Sequence, residues 1–304
     1  MVRINRLLLN ILAFYAKFPM KYWHKTILFL YYSGFYKAFS PKKQAEIRES
    51  FLTRKKAKVI AKEMSRIQHI PRYTPGIFQH GYRQIRFIDS ASFLVMYDEI
   101  LERQLYKFNV SSENPFIIDA GANIGLSIIY FKQLYPNASI LGFEPDPIAF
   151  ETLKYNIQQL GLSDVEVMQK GVWNKETSIR FYAEGADAGR IALESDQENI
   201  TYISTVRLKD YLNRHIDFLK IDIEGGETTV IHDCGDSLRN VDRIFVEYHS
   251  FQDQKQELHN LLNVLFEMGF RYYIQQIGIS STTPFVETNS YLKMENQLNI
   301  FAYR

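Results

Sequence analysis

The stretch that most constrains this chain is Phe116–Phe131, FIIDAGANIGLSIIYF, preceded by a proline. The apolar run Phe116-Ile117-Ile118 is too short and too abruptly ended for a helix, and Asp119 closes it. Gly121 and Gly125 then bracket Ala122-Asn123-Ile124, and an apolar helix-like run continues to Phe131. This order reads as a buried strand, a tight glycine turn and a helix. Glycine lacks a Cβ, so the backbone can turn sharply there and a ligand can approach it closely. A second apolar run, Ile140–Phe143, delivers Glu144 to its carboxyl end. In a doubly wound sheet an acid so placed lies across the crevice from the glycine turn, where ribose hydroxyls can donate to it.

Dinucleotide folds carry G-x-G-x-x-G, whose backbone amides meet a pyrophosphate. Here the pattern is D-x-G-x-x-x-G, with alanine and asparagine where that fingerprint wants glycine. An acid at Asp119 is a poor neighbour for a pyrophosphate and a good one for a cationic amino-acid end. The combination favours S-adenosylmethionine, which has a ribose, a sulfonium and an α-amino group but no phosphate. An NAD-linked oxidoreductase would share the glycine turn and Glu144, but the middle glycine missing from this chain and the acid at Asp119 argue against it. A non-catalytic, membrane-associated binding protein on the same fold is the other alternative.

Strands alternate with helices from Pro115 onward. The expected strands are Phe116–Ala120, Ser139–Glu144, Val165–Lys170, Phe218–Ile223 and Arg243–Tyr248. Helices are expected over Gly125–Leu134, from Asp146-Pro147 to about Leu160, after the strand Phe218–Ile223 through Cys234, and over Gln256–Met268. Asp146 is a suitable N-cap with Pro147 at the first helical position, and Gly161 suits the C′ position. Ser178–Ala183 and Ile200–Val206 read as an inserted antiparallel pair, with a short helix at Leu208–Leu212. Arg271–Gln276 and Asn299–Tyr303 read as a terminal antiparallel hairpin. The prediction is a doubly wound α/β sheet, Rossmann-like and mostly parallel. Upstream, Pro41–Gln68 reads as a charged helix, Ile70–Gly76 as a linker, Phe78–Asp89 as a short hairpin around Gly81, and Ser90–Phe108 as one helix leading into the sheet.

The segments IDAGANIG, FEPDP, FLKIDIEGGE (Phe218–Glu227) and IFVEYH (Ile244–His249) together resemble the FkbM family of S-adenosylmethionine-dependent methyltransferases. The similarity runs from about Phe116 to the C-terminus, and IDIEG is its most specific part. The resemblance implies the class I methyltransferase fold, hydroxyl acceptors on small molecules or glycans, and cofactor roles for Asp119, Gly121, Asn123, Gly125 and Glu144.

Ligands of such sheets bind outside the carboxyl ends of the strands. Those ends carry Asp119, then Glu144 with Pro145, then Asp222 with Glu224, then Glu247 with His249. Asp119 and the Gly121–Gly125 backbone, Ala122 included, are expected to hold the cofactor's amino-acid end, and Glu144 its ribose. Lys170-Gly171-Val172 with Trp173 is the expected adenine wall. Asp119 as a helix-capping carboxylate and Glu144 as a surface acid are the structural alternatives. Methyl transfer to a hydroxyl needs an aligned nucleophile and a proton acceptor. His249 is the candidate base near neutral pH, against an ordinary loop histidine. Asp222 is the candidate for orienting the acceptor or the cofactor's amino group. Asp222, Glu224 and Glu227 could alternatively hold a divalent cation; no metal is assigned.

Composition sets the remaining bounds. One cysteine, Cys234, excludes an intramolecular disulfide framework and any cysteine-based zinc site, which fits a reducing cytosol. Its simplest role is a small buried hydrophobe. The net charge of +2 conceals 14 Lys/Arg against two Glu over Met1–Lys62, about +12, leaving about −10 on the rest. Residues 1–70 are therefore expected to form a basic, aromatic-rich helical extension and residues 71–304 a methyltransferase domain. Arg3–Phe18 reads as an amphipathic helix ended near Pro19, and Tyr22–Phe35 as a second candidate. Residues 1–40 can lie on an anionic membrane surface or pack on protein. A signal peptide fits less well, for want of a small-residue cleavage site. The Arg54–Lys58 cluster has no nucleic-acid-binding motif around it. The expectation is a cytoplasmic chain able to sit peripherally on the membrane. A homo-oligomer is compatible with it, and the acceptor is not identified.

Overall fold

The computed structural model describes residues 41–80, 83–182, 189–192, 196–252, 254–278, 281–287, 290 and 293–304. The expectations for residues 1–40 and for Gly81 lie outside these. The chain forms two compact units, Met1–Arg66 and Ile67–Arg304. Helix α1, Pro41–Ile67, is long and unbroken. It carries no glycine, and its only proline stands at its first position, where the missing N–H costs nothing.

The second unit opens with an antiparallel hairpin, β1 (Gly76–His80) and β2 (Arg83–Phe87). Asp89 caps helix α2 (Ser90–Met96) by accepting from the Ser92 N–H. The single helix expected over Ser90–Phe108 does not form. A π-helical turn, Tyr97–Glu102, follows α2, and Gln104 takes a left-handed φ of 58°. Leaving the helix there lets Tyr106 and Phe108 enter an aromatic cluster with Phe131, Phe218 and Phe245. That apolar burial outweighs further helical propagation.

The expected alternation then appears: β3 (Phe116–Ala120), α3 (Leu126–Leu134), β4 (Ser139–Phe143), α4 (Pro147–Leu160) and β5 (Val165–Met168). Asp146 accepts from the N–H groups of Ile148 and Ala149, and Gly161 closes α4 at φ 61°. Gly125 has φ 91°, and a Cβ there would lie 2.6 Å from Leu153 of α4, so glycine lets the two helices approach. After β5 the chain leaves the main sheet. Strands β6 (Gly171–Trp173), β7 (Ser178–Tyr182), β8 (Arg190–Ile191) and β9 (Ile200–Arg207) make a second, four-stranded sheet in the order β6-β9-β7-β8. The expected pairing of Ser178–Ala183 with Ile200–Val206 is there as β7 against β9. The expected strand Val165–Lys170 is two residues too long, because Lys170 belongs to the step between the two sheets.

The main sheet is completed by β10 (Phe218–Ile221), β11 (Arg243–Phe251), β12 (Arg271–Ile277) and β13 (Met294–Tyr303), with helices α5 (Glu227–Cys234) and α6 (Leu258–Glu267) between them. Its order is β12-β13-β11-β10-β3-β4-β5. Only β13 runs against the others; it is inserted between β11 and β12 and pairs with both. This mixed α/β arrangement is the doubly wound, class I methyltransferase-like sheet with its terminal antiparallel hairpin. Strand β11 continues past the expected Tyr248, because β13 supplies partners as far as Phe251. His249 is therefore a strand residue opposite Gln297, not a loop residue. Apart from the paired Asp119 and Lys220, the central strands are apolar on both faces, as in a parallel sheet covered by helices. Cys234 is buried in that core, where burial pushes its thiol up to about 12.

Candidate active site

A cavity of about 330 Å³ opens at the carboxyl ends of β3, β4, β10 and β11, within the size range of small-molecule sites. Its floor is the glycine turn. The N–H groups of Gly121 and Ala122 both donate to the Phe143 carbonyl, at 3.0 and 2.9 Å, folding the turn back onto β4. Gly121 has φ 99°, and a Cβ there would meet the Asp222 carbonyl oxygen at 1.8 Å. Asn123 takes a left-handed φ of 46° and its side-chain oxygen accepts from the Ile124 N–H.

Glu144, just past β4, is 7% exposed. One carboxylate oxygen accepts from the Asn123 N–H at 2.8 Å and the other from the Asp146 N–H at 2.9 Å. Burial pushes this carboxyl up to about 7, against the pull of those two donors. Gly121, Ala122, Asn123, Glu144, Pro145, Lys170, Gly171, Val172 and Asp222 all line the cavity. Ile179, Phe181, Ile191 and Ile203 of the second sheet add an apolar wall on the side of Gly171 and Val172, suited to the face of a purine.

Three expected site residues stand behind the cavity wall. Gly125 packs against Leu153. Asp119 is fully buried beneath the turn, accepts from the Ser127 hydroxyl, and has its other oxygen 3.4 Å from Lys220 Nζ. That second oxygen makes no hydrogen bond, so the Lys220 contact is ionic only. Burial pushes the Asp119 carboxyl up, opposed by Lys220. The assignment of Asp119 to the cofactor's amino-acid end is corrected: its reach ends at Ser127 and Lys220.

His249 is likewise fully buried, with carboxylates on both ring nitrogens. Nδ1 lies 3.1 Å from Glu227, and Nε2 lies 3.4 Å from both Glu224 and Glu247. Burial opposes its charge, but Glu224 and Glu227 outweigh burial and hold its pKa well above the imidazole range. The structure does not bring His249, the expected base, to the cavity wall: its ring is enclosed by Glu224, Glu227 and Glu247 behind it, and the expected role is corrected on that ground. Glu227 does not join Asp222 and Glu224 in a cation site, because its carboxylate accepts from the N–H groups of Ile223 and Gly225. Among the described residues, candidate ligand atoms lie within 4.8 Å of one another in Asp222, Glu224 and His249, and in a second group away from the cavity, His215, Asp217 and Asp242.

Lys220 went unassigned from sequence. It lies in β10 in register with Asp119 of β3. Its Nζ donates to the Gly121 carbonyl at 2.7 Å and to Asp222 at 3.1 Å. Burial disfavours its charge, yet Asp222 and Asp119 keep its pKa well above the usual lysine value. Glu99, Tyr106, Glu247 and Gln297 also line the cavity. The sequence signal for Lys220 was a lysine inside an otherwise apolar strand; Glu247 stands at an expected strand end, and Glu99, Tyr106 and Gln297 carry no local signal.

These features fit S-adenosylmethionine better than a dinucleotide. The cavity offers a glycine turn that a single methyl group would fill, and a buried carboxylate for ribose. Its polar wall has the carboxylates Glu99, Asp222, Glu224 and Glu247 against the cations Lys170 and Lys220, an environment for a sulfonium and an ammonium rather than a diphosphate.

Comparison with known proteins agrees. The family model of the methyltransferase FkbM domain matches residues 119–272, half of the chain. Methyltransferase 1 of Beauveria bassiana is 27% identical over 207 residues, covering 60% of this chain and 82% of that protein. Methyltransferase sdnD of Sordaria araneosa is 30% identical over 194 residues, covering 52% and 75%. The 2-O-methyltransferase NoeI of Sinorhizobium fredii is 26% identical over 156 residues, covering 44% and 63%. The chain belongs to the FkbM methyltransferase family and is an enzyme whose cofactor is S-adenosylmethionine.

Proposed function

We propose that the enzyme methylates a hydroxyl of a glycan, a lipid-linked sugar or another small molecule. The observation that carries this reading is the set of carboxylates, Asp222, Glu224, Glu247 and Glu99, facing the cavity beyond the glycine turn. Carboxylates at hydrogen-bond reach orient hydroxyls and can take their protons. The cofactor supplies a methyl group already activated on a sulfonium. The chain's residues then have three tasks: to hold the hydroxyl in line, to exclude water, and to receive one proton as the C–O bond forms and the S–C bond breaks. Asp222, whose side chain reaches the cavity beside Glu224, orients the acceptor hydroxyl and receives its proton. His249 and Glu227 hold Glu224 and its loop in place. The relative named as a 2-O-methyltransferase supports oxygen as the accepting atom.

The test is transfer of tritiated methyl from S-adenosylmethionine to a panel of mono- and oligosaccharides and lipid-linked sugars. An ether-linked methyl group on the product supports the reading; label found only on nitrogen or carbon contradicts it. Asp222→Ala should lower turnover by a factor of at least about 100.

The basic aromatic extension, residues 1–70, is proposed to bring the methyltransferase domain, residues 71–304, to the cytoplasmic face of a membrane. Among the described residues no helix is long and apolar enough to cross one. Fourteen basic residues within Met1–Lys62 support attraction to anionic headgroups. Flotation of the full chain with phosphatidylserine vesicles tests this, and failure to float removes it.

A further inference from the structure

Six carboxylates but only two lysines line the cavity: Glu99, Glu144, Asp146, Asp222, Glu224 and Glu247 against Lys170 and Lys220. Glu144 and Asp146 follow β4, where the ribose is placed. Asp222 and Glu224 follow β10, Glu247 lies in β11, and Glu99 stands in the π-helical turn Tyr97–Glu102, a backbone form frequent at functional sites. The cations near this second group are already held. Lys220 is paired with Asp119 and Asp222, and Arg103 with Asp98. His249 brings at most one positive charge to Glu224, Glu227 and Glu247 together. Glu99, Glu224 and Glu247 therefore leave a negative excess larger than the single net positive charge of S-adenosylmethionine. The crowding has a cost. Burial pushes the Glu99 carboxyl up, and Glu247 and Asp222 push it further. Burial raises that of Glu224 well above the ordinary range; His249 pulls it down, and Asp222 and Glu247 push it up again. Like charges so gathered disfavour one another's ionised form. Glu224 Oε2 is also buried and accepts no hydrogen bond, its 3.4 Å contact with His249 Nε2 being ionic only. A buried carboxylate oxygen without a donor is costly. A group that brings a positive charge and several N–H donors removes both penalties, and an ammonium has three such donors.

We propose that the acceptor is an amino alcohol (among glycans, a sugar with a free amine), whose ammonium group is held by Glu99, Glu224 and Glu247 while its hydroxyl faces Asp222. The proposal rests on methyl transfer to a hydroxyl in this cavity and names the acceptor class for it. A neutral or N-acetylated sugar brings no charge to these carboxylates, and a phosphate or carboxylate brings the wrong one. The amine and the hydroxyl have separate partners, so the nitrogen is anchored away from the methyl group and the oxygen is presented to it.

Sugars that differ only at the amine carry the test: the methyl glycosides of glucosamine, galactosamine and mannosamine, each beside its N-acetyl form and its parent hexose. With the full chain and tritiated S-adenosylmethionine, ether-linked label is expected on a free-amine sugar. Its kcat/KM should exceed that of the N-acetyl form at least about ten-fold, the usual weight of one charge-assisted hydrogen bond. Glu99→Gln and Glu247→Gln should each lower kcat/KM for the free-amine sugar by about ten-fold, mainly through KM, and leave S-adenosylhomocysteine affinity within about two-fold. Should a variant not fold, the wild-type preference decides alone. Equal or faster transfer to the neutral or N-acetylated forms overturns the proposal and leaves O-methylation standing. Transfer to none of these sugars also overturns it, while the wider acceptor panel still tests oxygen as the accepting atom. Label on the amine nitrogen overturns both readings. Transfer abolished by EDTA and restored by magnesium would give Asp222, Glu224 and His249 to a metal ion, and that too overturns the proposal.

Discussion

At Gly121 a single hydrogen atom separates a working turn from a clash. Its φ of 99° and the 1.8 Å approach to the Asp222 carbonyl both exclude a side chain. Gly121→Ala should cost about 2–5 kcal/mol, combining left-handed strain with overpacking. Thermal unfolding should show that loss together with loss of S-adenosylhomocysteine binding. Glu144 makes a different prediction. Its folded pKa, about 7, lies above the ordinary 4.5, so the folded ligand-free chain keeps a proton that the unfolded chain releases between those values. Its contribution to stability therefore falls as pH rises from about 4.5 to 7, by at most about 3 kcal/mol. Ribose hydroxyls donate best to the ionised form, so cofactor affinity should move the opposite way. S-adenosylhomocysteine should bind roughly ten-fold more weakly at pH 6 than at pH 8, and Glu144→Gln should flatten that dependence. A flat profile in the wild type would remove Glu144 from the ribose site.

Among the elements, α4 ties the hairpin to the cofactor turn through one buried side chain. Asn156 donates to the carbonyls of Arg86 and Ile124 and accepts from the Arg86 N–H. Asn156→Leu leaves those backbone groups without partners and should cost about 3 kcal/mol. Urea unfolding measures that loss, and a several-fold weaker S-adenosylhomocysteine affinity should accompany it as the Ile124 turn loosens. The run from Phe116 to Gly161 was legible in the sequence because its signals are local: short apolar strands, an aspartate cap, a proline at N1 and a glycine stop. The π-turn at Tyr97–Glu102 was not, since the aromatic cluster that ends α2 early is assembled from residues far apart in the chain. Strands β6 and β8 are three and two residues long, too short for any periodicity. His249 looked like a loop residue because β11 owes its last turns of pairing to β13, some fifty residues later. Two of its three carboxylates, Glu224 and Glu227, come from the loop after β10 and the start of α5, and Asp119 meets Lys220 across two strands about a hundred residues apart; no local spacing reveals either.

Across the whole molecule, the family-matched stretch, residues 119–272, holds the cofactor side of the cavity. Glu99 and Tyr106 before it, and Ile277 and Gln297 after it, line the same cavity from outside that stretch. Acceptor choice should therefore reside in those flanks. Glu99→Gln and Gln297→Ala should change methyl-transfer rates by roughly ten-fold or more and leave S-adenosylhomocysteine affinity within about two-fold; loss of that affinity would show the division to be wrong. The central claim is that the strand-end cavity holds S-adenosylmethionine through the glycine turn and Glu144. Calorimetric titration of the purified chain with S-adenosylhomocysteine, with NAD as the parallel ligand, tests it most directly. The account predicts one site for S-adenosylhomocysteine, none for NAD, and at least about ten-fold weaker binding in Glu144→Ala. Binding of NAD alone, or S-adenosylhomocysteine affinity unchanged in Glu144→Ala, would contradict it.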